Sequence, residues 1–216
     1  MKIAILGGTG REGAGLGVRW AAAGHQVIIG SRLAERAEQA AAELNALLPG
    51  DKTITGTDNL SAAHQAELVV LAVPYEAQAA TLDVVKGVLA GKILLTVVAP
   101  LGNPRSQVWH PPAGSAAQEA QQQLGSEVRV VAAFQGISAE HLKDLQHNLD
   151  SDVLVCGDKL ADREVVIRLA QAAGLRGVHA GPLANAGVME GLTAVLIAIN
   201  GRYKTKDAGI RITGLP

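Results

Sequence analysis

Short apolar runs alternate with longer mixed segments along most of the chain. Residues 2–6, 26–29, 68–73, 92–98 and 128–134 are nearly continuous apolar stretches, the length and character of strands buried on both faces. Residues 53–57 (TITGT) fit a shorter third strand. Between these runs lie helical patterns: from the glycine cluster through Trp20 and Ala23, over 33–48 up to the breaker Pro49-Gly50, over 59–65, over 75–89 after Pro74, and from a Ser115 cap through Gln123. The final third continues with strands at 153–155 and 175–179 around a helix at 161–173. Gly181-Pro182 then lead into a long apolar helix over 184–200. Alternation of this kind predicts an α/β fold, a Rossmann-type doubly wound parallel sheet. Its boundary with a smaller C-terminal part is expected near 135–149.

The junction after the first strand reads GGTGREG, with Gly8, Gly10 and Gly13 in G-x-G-x-x-G spacing. Following a strand and opening a helix, the spacing points to dinucleotide binding. Gly8 is expected to turn the chain off the strand, Gly10 to let a pyrophosphate reach the backbone, and Gly13 to bring helix and strand together. The helix N-terminus then offers N–H groups and a favourable dipole to the phosphates.

The end of the second strand refines this. An NAD site usually carries an acid there for the ribose hydroxyls, whereas this chain has Ser31-Arg32, followed by Arg36. Two guanidiniums four residues apart on a helix can converge on a phosphate, which favours NADP; the other reading pairs them with Glu35 or Glu38. Val73, Pro74 and Ala77 follow the fourth strand, where they either line the adenosine side of a cofactor or simply fill space. Residues 135–139 (QGISA) leave the sixth strand on the same side. The loop 101–114, with three prolines and Trp109-His110, is long enough to be functional.

Composition narrows the function by exclusion. Aromatic residues make up 2% of the chain, against base-stacking platforms. Nineteen basic and 20 acidic side chains create no field for nucleic acid or anionic membranes. The longest uninterrupted apolar stretch, 192–199, is far short of a bilayer span, and no leader precedes the first strand, so a cytoplasmic location is expected. The single cysteine, Cys156, has apolar neighbours and reads as a buried small hydrophobe. The six histidines show no ligand spacing, so no metal site is expected. No acid–base constellation stands out and no catalytic residue is assigned, as suits a protein that positions two redox carriers. The apolar helix 184–200 needs a covering partner, a second subunit or a second ligand. The basic tail (Arg202, Lys204, Lys206, Arg211) is either solvated or directed to a phosphorylated group.

Several stretches together resemble the NADPH-dependent reductases of the deazaflavin coenzyme F420. They are GGTGREG (7–13), GSRLAERAE (30–38), VPYEA (73–77), VAAFQGISAEHL (131–142), DVLVCGD (152–158), AGLRGVHAGPL (173–183), GLTAVLIAIN (191–200) and GIRITGL (209–215). The resemblance implies an NADP-binding Rossmann domain over 1–140, a small C-terminal α/β domain over 141–216, a homodimer, and hydride transfer between nicotinamide and deazaflavin. Carried onto this chain, Thr9, Gly10, Arg11 and Glu12 would hold the pyrophosphate, and Ser31, Arg32 and Arg36 the 2′-phosphate. Val73, Ala77, Ala99 and Ala139 would line the rest of the cleft. Gln135, Ile137, Thr193 and the loop after Ala99 would meet the second cofactor. Some members carry His where this chain has Gln135. FMN or FAD could fill the same slot; the alternatives are therefore an NADPH-dependent flavin or metal-ion reductase and a non-catalytic NADP(H) sensor.

Overall fold

The structure, a computed structural model, describes residues 1–215. Its centre is a sheet of eight strands, β1 (Lys2–Leu6), β2 (Gln26–Ser31), β3 (Ile54–Asp58), β4 (Leu68–Leu71), β5 (Ile93–Thr96), β6 (Arg129–Ala132), β7 (Asp152–Gly157) and β8 (Arg176–His179), in the order β3-β2-β1-β4-β5-β6-β7-β8. Strand β1 lies between β2 and β4, parallel to both. Outside them run β3, β5 and β6, all parallel. This is the doubly wound order, in which the chain leaves β1 in one direction and returns to β4 in the other.

The period of two along β1 explains why both faces are covered. Ile3 and Ile5 join a core with Leu16 and Trp20 of α1 (Arg11–Ala22), Leu44 of α2 (Ala34–Asn45) and Leu169 of α6 (Leu160–Ala172). Ala4 and Leu6 face a second core with Ala62 of α3 (Asn59–Gln65), Leu82 of α4 (Tyr75–Val85) and Ala120 of α5 (Ala116–Leu124). A strand apolar on both sides is what such a double layer requires.

Beyond β6 the sheet continues rather than ending near residue 140. β7 (Asp152–Gly157) joins β6 antiparallel through only Val131↔Gly157 and Ala132↔Cys156. β8 (Arg176–His179) then pairs with β7 in parallel. The connecting stretch, residues 133–151, has neither strand nor helix and is fixed instead by Arg19. This side chain, 6% exposed, donates to the carbonyls of His141, Leu142, Asp144, His147 and Ala173. A buried guanidinium stays tolerable only when its donors are so occupied.

The last helix, α7 (Ala186–Tyr203), runs a turn past the expected end. With the preceding turn, Leu183–Tyr203 is a 21-residue helix containing an 18-residue stretch of mean hydropathy 1.4, long and apolar enough by composition to cross a membrane. Counting only the uninterrupted run 192–199 hid this, because Glu190 breaks the pattern. In the fold that glutamate is fully buried against the start of α5.

Candidate functional site

The turn after β1 is built as its glycines require, with one exchange of roles. Gly7, not Gly8, takes the left-handed conformation (φ +75°), and its N–H donates to Gly30 O at 3.1 Å. Gly8 is needed for contact: a Cβ there would lie 2.8 Å from Ile5 O. At Gly10 a Cβ would meet only Gly7 O at 3.4 Å, so the space beside it belongs to the cleft and not to the protein. No side chain caps α1, and the N–H groups of its first turn therefore point out of the fold without an intrahelical acceptor.

That open end faces a cleft of about 620 Å³, lined on one side by Thr9 and Gly10 and on the other by Val73, Pro74 and Ala77. Ser31, Arg32 and Arg36 close its far end. Both arginines are exposed, and among the described residues neither forms an ion pair, so the expected alternative partners Glu35 and Glu38 do not hold them. Sequence reasoning missed Asn59, at the start of α3. It is buried, its Oδ1 has no partner, and it lines the same cleft. Only the pairing of β2 with β3 brings this amide beside Gly30 and reveals it.

Arg11 and Glu12 sit differently. Arg11 pairs with Glu140, which also meets Lys206 at 3.3 Å, so the mouth of the α1 turn is crossed by an Arg11–Glu140–Lys206 chain. Arg11 and Lys206 together hold the Glu140 carboxyl below its usual range. Glu12 buries its Oε1 without a partner, and burial pushes its carboxyl up to about 8. Burial thus favours the neutral acid over the carboxylate, and the Glu12 backbone N–H is the group of use to an anion.

The second wall begins where β6 ends. Phe134 has φ +76°, strained for an aromatic residue, and is fixed by an edge-on contact with Trp20 at 5.8 Å. The strained turn delivers Gln135, 6% exposed, onto the end of β5, where Nε2 donates to Thr96 O at 3.0 Å and Oε1 stays unpartnered. Thr193 of α7 donates to Gln135 O at 2.8 Å. Gln135 and Ile137, with Met189 and Leu192 of α7, line a small apolar pocket. Gln135, Ile137 and Thr193 are thus brought together. Ala99 and Ala139 are part-buried near the strand ends and do not line the larger cleft.

The loop 101–114 reaches α7 through two glycines. A Cβ on Gly187 would lie 2.5 Å from Gly114 O, and one on Gly191 3.2 Å from Val108. Between them Glu190 accepts from Ala116 N and Ala117 N at 2.8 and 3.0 Å, capping α5 together with Ser115. Burial pushes the Glu190 carboxyl up to about 7. Cys156 is fully buried and its thiol is pushed up to about 11, which leaves it inert as a nucleophile. Of the basic tail, Lys206 is paired with Glu140 and Arg211 with Asp150. Although sequence spacing suggested no ligand group, His141, His147 and Asp207 meet within 4.8 Å.

Likeness to known proteins agrees with this geometry. The model of the family "NADP oxidoreductase coenzyme F420-dependent" matches residues 2–100. The F420-dependent NADP reductase of Methanocaldococcus jannaschii is 41% identical over 223 aligned positions, covering 100% of this chain and 99% of that protein. The enzyme of the same name from Methanothermobacter marburgensis is also 41% identical, with both chains covered in full. A crystal structure from Arthrobacter sp. FB24, described as a candidate F420-dependent NADP reductase, superimposes with a TM-score of 0.81 at 28% identity over 99% of each chain. With both ends of the sequence matched as well as the glycine turn, the chain belongs to the family of F420-dependent NADP reductases.

Proposed function

We propose that this protein transfers a hydride directly between NADP(H) and coenzyme F420. The observation that carries the reading is the coupling of two unlike walls at one edge of the sheet. One is an anion-seeking cleft bearing Arg32 and Arg36, which form no ion pair among the described residues. The other is an apolar wall from β6, β7 and α7, bearing Gln135 and Thr193. Full-length likeness to enzymes named for both cofactors supports it.

In this reading the α1 turn and Gly10 receive the pyrophosphate, Ser31, Arg32 and Arg36 the 2′-phosphate, and Asn59, Val73, Pro74 and Ala77 the adenosine half. Gln135 offers its free Oε1 at the meeting point of the two rings, while Ile137 and the loop 101–114 keep water away. The cofactors supply the redox chemistry, and the chain supplies orientation and a dry, close approach. That division of labour accounts for a site without an acid–base pair. The enzyme is further proposed to be a cytoplasmic homodimer with the dinucleotide held by residues 1–140. Residues 141–216 then serve the second cofactor and the subunit contact, supported by the apolar residues that α7 leaves exposed.

Purified protein mixed with NADPH should reduce F420 and leave FMN unreduced, followed as loss of acceptor absorbance. Preferential reduction of FMN would replace the acceptor, and dinucleotide binding with no turnover on either would make the protein a sensor.

A further inference from the structure

A second constellation lies where the loop after β6 meets the segment following α7. His141 and His147 stack with ring centroids 4.0 Å apart and planes 18° from parallel. Asp207 Oδ2 stands 4.0 Å from His141 Nε2. One donor atom from each of the three residues falls within 4.8 Å of the others, beside a pocket of about 100 Å³. None of these side chains has a role in the hydride-transfer site described above. We propose that His141, His147 and Asp207 bind one zinc-type divalent cation.

The donor set selects the class of ion. Two imidazoles and one carboxylate suit zinc, nickel or cobalt, whereas magnesium and calcium prefer an all-oxygen shell. Ligand distances of about 2.0–2.2 Å place neighbouring donors roughly 3.3 Å apart around a tetrahedral ion, with water in the fourth position. To ligate one ion, the stacked rings of His141 and His147 must turn out of the stack so that one nitrogen of each converges with Asp207.

The supports of a ligand site are already in place. The carbonyls of both histidines accept from the buried Arg19, at 3.3 and 3.1 Å, so the backbone carrying the rings is fixed from beneath. Asp207 Oδ1 accepts from Thr205 Oγ1 at 2.5 Å, which turns Oδ2 toward His141. Orientation of ligands by a second layer of hydrogen bonds is a general property of metal sites. A lone surface carboxylate beside two histidines would need neither support.

Such an ion would fasten the segment after α7 to the loop after β6. Next to this junction Ser138 Oγ donates to Lys206 O at 2.7 Å, and Lys206 meets Glu140, the partner of Arg11. The clasp therefore ends at the first residue of α1.

The test uses the full chain without a histidine tag, titrated calorimetrically with zinc from a chelator buffer. The expected result is one saturable ion per chain. Affinity should fall by at least about tenfold in His147→Ala and in Asp207→Asn. Zinc should also slow tryptic cleavage after Lys204 and Lys206 in the parent protein but not in either variant. Asp207 is exposed, so its variant folds even if the histidine variant does not. Absence of saturable binding, or binding unchanged in Asp207→Asn, would overturn the proposal.

Discussion

At the scale of single residues, the proposed preference for NADP(H) is assigned to Arg32 and Arg36. Their guanidiniums line the large cleft, and among the described residues no carboxylate pairs with them. Charge-assisted hydrogen bonds are worth about 1.5–3 kcal/mol each. Replacing both with Ala should therefore weaken NADPH binding by at least about a hundredfold while NADH binding changes little. Fluorescence titration with both dinucleotides checks this, and an unchanged preference for NADPH would remove the assignment. The arginines were legible in the sequence because strand end and helix start are adjacent in the chain. Gly7 and Asn59 were not. Which of two neighbouring glycines bears the positive φ depends on how β1 exits toward Gly30, and Asn59 reaches the cleft only through the pairing of β2 and β3.

At the scale of elements, α7 and α5 are joined by Glu190. Its carboxyl titrates at about 7 in the fold against 4.5 ordinarily, so the folded state prefers the neutral acid. A raised carboxyl of this kind costs nothing below the ordinary value. The cost grows as pH rises from about 4.5 to 7 and reaches about 3 kcal/mol above that. Thermal unfolding should show the parent protein losing stability relative to Glu190→Gln between pH 5 and 7.5. Parallel pH profiles for the two proteins would mean that Glu190 stays ionised in the fold. The helix itself was legible from its apolar run. Its capping role was not, because nothing local announces that Glu190 will meet two N–H groups of another helix.

At the scale of the whole molecule, α7 leaves Val188, Val195 and Ile199 exposed at 63, 41 and 37%, with Leu192 part-buried between them. Their spacing of four, three and four residues draws one stripe along the helix. If this stripe joins two subunits, Val195→Glu should sediment as a monomer of native secondary structure. A dimer of unchanged stability would place the contact elsewhere. The parallel six-strand body was readable from alternating apolar runs and breakers, each a local signal. The antiparallel entry of β7 was not, since direction is decided by the path of residues 133–151 and the carbonyls Arg19 gathers.

That entry is made through two residue pairs, whereas β1 and β2 are laddered through five. The sheet is therefore seamed between the parallel six-strand body and the strands beyond β6. Substitutions beyond the seam can reshape the apolar wall of β7 and α7 without shifting the register of the strands that carry the glycine turn and the arginine pair. A catalyst built this way can exchange the partner of its hydride while keeping the same donor.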